Sequence, residues 1–194
     1  MRRHRRQLAV ALIHHPVVNR EGAVFTTTLT GLDMHDMARS ARTFGAEALH
    51  IVHPYAAQRE MAERIRRHWV DGPGGRRIPD RATALRGVTF DADVAAMRAR
   101  YPHGEIELWT TAAQPHGEAL TSYPDARARL AGEGPPVVVC FGTGWGLDPQ
   151  FIATADVRLL PIEGVGDDYN HLSVRAACAI TLDRLLAGPR AGAP

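Results

Sequence analysis

Val137-Val138-Val139-Cys140-Phe141-Gly142-Thr143-Gly144-Trp145-Gly146-Leu147 joins an unbroken apolar run to three glycines at alternate positions. An apolar run that opens on three valines suits a parallel strand buried on both faces. Glycines let the backbone take positive φ and approach a ligand with no Cβ in the way. In a parallel α/β sheet, ligands bind beyond the carboxyl ends of the strands, which is where Gly142, Gly144 and Gly146 fall. The spacing is G-x-G-x-G, without the last glycine of the dinucleotide fingerprint, and it comes late in the chain; a dinucleotide site is disfavoured. A tight structural turn would use the same glycines, and the motif alone does not separate the two.

Working outward, Asp148-Pro149 has the N-cap and first-turn chemistry of a short helix. Residues 157–162 read as a strand stopped by Pro161 and Gly164. Residues 172–186 have helical period and are apolar nearly all round, which predicts a buried helix ended by Gly188-Pro189. Upstream, residues 8–18 and 48–52 read as strands, the first apolar run closing at His14-His15-Pro16. Residues 32–44 and 58–70 read as helices, the second with Met61, Ile65, His68 and Trp69 on one face. Asp33, or Thr30 before it, can cap the first helix and Gly45 can end it. Residues 71–75 read as a loop, 94–101 as a helix, 106–110 as a strand and 125–130 as a polar helix. This alternation defines one α/β domain, a mainly parallel sheet flanked by helices. The expected boundaries are a disordered basic arm over 1–7, the domain over 8–188 and a flexible tail over 189–194.

Composition excludes some chemistry. All 23 Lys-or-Arg positions are arginine. Without a lysine, neither a Walker-type phosphate loop nor Schiff-base catalysis is available. The formal net charge is only +2, but the arginines cluster locally. Arg64, Arg66, Arg67, Arg76, Arg77 and Arg81 are candidates to contact a polyanion, the alternative being solvated faces that aid solubility. No stretch approaches the roughly 20 apolar residues of a membrane span. The basic start and short apolar run are too brief for a signal peptide. Cys140 and Cys178 each sit in apolar surroundings, as core thiols in a reducing cytoplasm would. A metal-dependent hydrolase built on His14, His15, His35, Asp36 and His53 lacks any recognisable ligand spacing, so no metal is expected.

The glycine loop is followed by two further segments: Leu160-Pro161-Ile162-Glu163-Gly164, then Asp168-Tyr169-Asn170-His171-Leu172-Ser173-Val174-Arg175 opening an alanine-rich helix. In that order they resemble the SPOUT class of S-adenosylmethionine-dependent methyltransferases. Within the class the chain is similar to RNA methyltransferases related to the tRNA guanine-N1 enzymes. The similarity runs over residues 8–186 and includes residues 28–43 and His68-Trp69. It implies a C-terminal trefoil knot, a homodimer, an RNA substrate (tRNA or rRNA), and S-adenosylmethionine bound in a bent shape by three loops. The cofactor would lie among Phe141, Gly142, Thr143, Gly144, Trp145 and Gly146, then Leu160, Pro161, Ile162 and Gly164, then Tyr169, Asn170, His171, Leu172 and Ser173.

Ribose-methylating SPOUT enzymes carry an acceptor-side arginine in an R-[ST]-A segment of the first helix. Arg39, with Ser40, Ala41 and Gly45 following, matches it. A guanidinium is too basic to remove protons, so phosphate anchoring or acceptor orientation is its expected role. Two departures speak against a ribose acceptor: Gly144 stands where many relatives have Glu, and Asp168-Tyr169 replaces Ser-Leu before Asn170. Asp168 is then a candidate base for a nitrogen acceptor and Asn170 a third catalytic candidate, with His35 and His171 as further options. A non-catalytic cofactor- or RNA-binding module, and a SPOUT enzyme acting on a small molecule, are the alternatives.

Overall fold

Strand β1 (Leu8–Ile13) is buried along its whole length and lies inside a six-stranded sheet. The computed structural model describes residues 6–115, 119–165 and 169–186. After β1 come β2 (Val17–Val18), β3 (Val24–Phe25), α1 (Gly31–Phe44), β4 (Leu49–Val52), α2 (Ala56–Val70), α3 (Pro73–Arg77), α4 (Pro79–Leu85), β5 (Val88–Asp91) and α5 (Val94–Arg98). A 3-10 turn (Pro102–Gly104) precedes β6 (Glu107–Thr110), α6 (Tyr123–Ala131), β7 (Val137–Gly142), α7 (Pro149–Ala153), β8 (Val157–Arg158) and α8 (Val174–Leu186). The sheet order is β5-β4-β1-β7-β6-β8 and every pairing in it is parallel.

The strands alternate between two cores. Leu8, Val10, Leu12, Val137, Val139 and Phe141 join Met34, Met37, Leu130, Leu182 and Leu185 on one face. Ala9, Ala11, Ile13, Val138 and Cys140 meet Met97 and Ile152 on the other. The second layer is thinner because its helices, α5 and α7, have five residues each, and the small side chains of Ala9 and Ala11 suit it. From β1 the chain builds outward to β4 and β5 on one side, then crosses to β6 on the other, returns to insert β7 between β1 and β6, and ends with β8 outside β6. The reversal opens a crevice at the carboxyl ends of β1 and β7.

Thr30 caps α1, accepting from the Asp33 amide at 3.2 Å, while Gly45 ends it at φ 81°. Asp148 and Pro149 start α7 as expected. Other details differ from the sequence reading. The first strand stops at Ile13, and Val17–Val18 pairs instead with Val24–Phe25 in a separate antiparallel hairpin. Residues 73–77 are helical, not loop: Gly74 and Gly75 permit close packing, since a Cβ would lie 2.8 Å from the Trp69 ring and 2.2 Å from the Trp69 carbonyl oxygen. The short elements α4 and β5 carry no strong period and were not anticipated. β8 covers only Val157–Arg158 of the expected strand, and Pro161 beyond it has no amide to continue the ladder. Helix α8 buries one face, through Cys178, Thr181, Leu182 and Leu185, rather than its whole circumference. No described helix is long and apolar enough to cross a membrane.

The expected disordered arm over 1–7 is corrected at Arg6, which is 3% exposed. Residues 1–5 and 189–194 lie outside the described residues. Arg6 Nη2 is 2.9 Å from Glu107, and its guanidinium donates to the Pro135 carbonyl at 2.9 and 2.7 Å. Burial opposes ionisation of Glu107, but hydrogen bonds from Arg129, Arg6 and Trp109 outweigh it and hold the carboxyl at about 2. Removing Arg6 strands part of this buried charge, so Arg6→Ala should destabilise the fold by about 3 kcal/mol. The corresponding fall in melting temperature is roughly 6–12 °C. Because the folded pKa is depressed, the Glu107 contribution is complete above the ordinary value of 4.5 and is lost as pH falls towards about 2. Acid titration of Glu107→Gln beside the native chain checks this; parallel curves would refute it.

Candidate active site

The glycine loop leaves β7 in a shape that only glycine permits. A Cβ on Gly142 would sit 2.6 Å from the Leu147 amide nitrogen. Gly144 and Gly146 have φ of 61° and 116°. The loop is zipped to β2: the Trp145 amide donates to Val18 O at 2.9 Å, the Val18 amide to Gly146 O at 3.0 Å, and the Asp148 amide to Pro16 O at 3.2 Å. Sequence reading missed this clamp, because β2 and β3 are two residues each.

Below the loop, the Thr143 hydroxyl bonds that of Thr27, which also bonds His14 Nδ1 at 2.8 Å. His53 Nε2 donates to Thr27 O at 3.0 Å while its Nδ1 accepts from the Tyr55 amide. Burial first, then the neighbouring His53, lowers His14 to about 4, so it is neutral at physiological pH. These histidines brace the loop. Among the described residues no group of three His, Cys, Asp or Glu side chains is gathered in a way that could hold a metal ion.

The second and third segments close on the first. Leu159 N donates to Thr110 O at 3.0 Å and Leu160 N to Thr121 O at 3.0 Å, carrying the chain past β6. Asn170 Nδ2 donates to Ile162 O at 3.0 Å and Ala113 O at 3.2 Å, pinning the third segment to the other strand ends. The Trp145 and His171 rings meet edge to face at 5.5 Å. Between them lies a cavity of about 590 Å³.

Of the expected cofactor residues, Phe141, Gly142, Thr143, Gly144, Trp145 and Gly146 line this cavity. So do Leu160, Ile162, Asn170, His171, Leu172 and Ser173. Pro161 is buried behind the wall; Gly164 and the exposed Tyr169 are not on it. Asp168 lies outside the described residues. Arg39 is on α1 and exposed, 3.9 Å from Asp36, away from the lining. His35 stacks edge-on against Trp69 and does not reach the cavity either. The wall also includes residues the sequence reading missed, among them Asp33, Thr111, Gln114, Tyr123 and Thr181. The position of Thr111 just past β6 was the available signal, since ligands gather at strand carboxyl ends. Nothing in the sequence marked Tyr123 or Thr181.

The residues present fit S-adenosylmethionine. The volume suits a nucleoside-sized ligand, the walls mix apolar side chains with a few polar groups, and nothing lies within 4 Å of where a Cβ would stand on Gly146. The arginines expected to meet RNA are divided. Arg66 and Arg67 both bond Glu63, at 2.8 and 2.9 Å, and Arg81 stacks 4.6 Å over the Trp69 ring. Arg64, Arg76 and Arg77 are exposed.

A parallel sheet whose strand ends enclose such a cavity is an α/β fold shared with TrmJ from Z. mobilis, with a TM-score of 0.57 at 15% identity, covering 97% of this chain and 72% of that one. A family model for SAM-dependent RNA methyltransferases matches residues 7–187, and the chain belongs to that family. It is 40% identical over 185 residues to a tRNA (guanine-N(1)-)-methyltransferase of Oleidesulfovibrio alaskensis, an alignment covering 93% of the chain but 42% of that protein. The chain thus spans less than half the length of that relative. An uncharacterized protein of Aquifex aeolicus is 35% identical over 93% of the chain and 89% of its own length.

Proposed function

We propose that the protein transfers a methyl group from S-adenosylmethionine to a guanine nitrogen of a tRNA, as a cytoplasmic homodimer. The convergence of three loops on one cavity, in a chain of this family, is the observation that carries the reading. The relative named a tRNA (guanine-N(1)-)-methyltransferase supports the guanine acceptor. The donor, when bound, supplies an electrophilic methyl carbon on a sulfonium. The chain's own residues hold geometry and move one proton. The glycine loop and the Asn170 bridge fix the donor site. Asp168 would accept the proton that the guanine nitrogen loses on methylation. Arg39 orients the acceptor.

The homodimer is supported by Leu32 on α1 and Leu172 before α8, which are 66% and 46% exposed, and by the placement of Arg39 outside its own protomer's cavity. The trefoil knot is part of the proposal, supported by the path of Leu159 and Leu160 between Thr110 and Thr121. Incubating the protein with methyl-labelled cofactor and unmodified tRNA, then identifying nucleosides by mass spectrometry, tests the reading; N1-methylguanosine is expected, and no label in tRNA would refute it.

RNA binding should also show in salt dependence. With Arg66 and Arg67 paired to Glu63 and Arg81 stacked on Trp69, Arg64, Arg76 and Arg77 are the members of that set best placed to meet phosphates. Three single-strand contacts give a slope of log affinity against log salt near roughly −2. The double variant Arg76→Ala/Arg77→Ala should flatten it by about 1.4 without altering cofactor affinity. Filter binding of tRNA across a salt series reads this, and a flat profile for the native protein would sink the RNA assignment.

A further inference from the structure

Among the described residues, Asp33 is the only Asp, Glu, Lys or Arg side chain on the wall of the 590 Å³ cavity. It is also well shielded, its side chain 12% exposed. Thr30 Oγ1 donates to one carboxylate oxygen at 2.6 Å, and Arg175 Nη1, from α8, donates to the other at 2.7 Å. Arg175 in turn reaches Asp36 at 3.5 Å, and Asp36 also lies 3.9 Å from Arg39, so Arg175 is divided between two carboxylates. The Arg175 side chain is 33% exposed and Asp36 47%. Solvent screens those two charges more than it screens Asp33, so the charge presented directly to the cavity is the Asp33 carboxylate, partly offset by Arg175 behind it.

We infer that Asp33 sets the preference of this site for the sulfonium donor over the uncharged thioether product. The inference rests on the reading of the cavity as a S-adenosylmethionine site and adds a residue and a selectivity to it. The donor and S-adenosylhomocysteine differ by one methyl group and one positive charge, so shape barely separates them. A fixed carboxylate in a partly desolvated wall does. Such discrimination also favours release of the product once the charge has gone to the acceptor, because the attraction that held the donor vanishes with the methyl group.

The alternative role for Asp33 is to tie α1 to α8 through Arg175, and a ratio of affinities separates the two. Calorimetry on the native chain and on Asp33→Asn should use S-adenosylmethionine, S-adenosylhomocysteine and sinefungin, an analogue with an ammonium in place of the methyl sulfonium. Asn keeps the size of the side chain and the Thr30 contact. The two cationic ligands should weaken by about tenfold, the scale of one partly screened charge interaction, and the thioether by less than twofold. Arg175→Gln should move the ratio the other way, towards the cations, which keeps the inference testable if Asp33→Asn does not fold. Equal weakening of all three ligands by Asp33→Asn, or no shift of the ratio in either variant, would overturn it while leaving the cofactor site in place. If the native chain takes up none of the three, the reading of the cavity falls and this inference with it.

Discussion

Gly144→Val is expected to lower affinity for S-adenosylmethionine by at least about 100-fold, some 2.7 kcal/mol, in a protein that still folds. At φ 61° the position lies in the left-handed region. A residue with a Cβ pays about 1–2 kcal/mol to sit there, and a β-branched one more. The sequence alone suggested that the new side chain would intrude on the ligand, but the Cβ points elsewhere. It would lie 3.1 Å from the Phe25 ring and 3.1 Å from Val18 O, against the hairpin that clamps the loop. Valine must therefore push the loop off β2, breaking the Trp145–Val18 and Val18–Gly146 hydrogen bonds that shape the cavity rim. Gly144→Ala makes the same contacts without branching and should fall between. Because this strain is local to an exposed loop and the sheet core is untouched, circular dichroism should stay close to native and the melting temperature should fall by only roughly 2–8 °C. Calorimetry reads the affinity; normal binding by the valine variant would place the cofactor site elsewhere.

How much of this was legible in the sequence depends on how many environments each segment could occupy. The run from Val137 to Phe141 has one plausible home, a strand buried on both faces, and the glycines after it mark its carboxyl end. The β2–β3 hairpin was invisible because its strands are two residues long, and Val24 and Phe25 are 50% and 37% exposed, so no alternation announces them. Gly74 and Gly75 look like turn residues in sequence. Only the packing of α3 against Trp69 reveals that their missing side chains serve helix contact. Arg6 belongs to a basic stretch that reads as solvated, until the fold brings Glu107 and Pro135 around it. Asp33 is the sharpest case: locally it is a residue of the capped first turn of α1, and its place on the cavity wall arises because the start of α1 meets the end of β7 and the start of α8, more than 100 residues later. Local chemistry predicts elements and caps; a wall assembled from distant segments is fixed by topology.

Arg39→Ala should reduce methyl transfer to tRNA by about 100-fold or more, the scale expected when a reactant is displaced by about 1 Å, while S-adenosylmethionine affinity stays within twofold. The separation follows from position. Arg39 is on an exposed part of α1, 62% exposed at its side chain, and shares no wall with the cavity of its own protomer. Its nearest acidic neighbour, Asp36, lies 3.9 Å away, too loose to occupy the planar fork fully. Arg39→Lys keeps the charge but loses the bidentate geometry and should recover only part of the rate. Single-turnover transfer at saturating cofactor, with calorimetry alongside, reads both quantities; equal loss of rate and cofactor affinity would make Arg39 a structural residue. If the arginine serves the cavity of a partner protomer, each half of the dimer has a different dependence. A mixed dimer of one Arg39→Ala chain and one Gly144→Val chain then pairs an intact cavity with an intact Arg39 at one of its two sites. Such a preparation, made by co-expression with two affinity tags, should regain up to half the native activity per dimer, although each parent homodimer is nearly inactive. Were Arg39 to act on its own protomer's cavity, both sites of the mixed dimer would be defective and no activity would return.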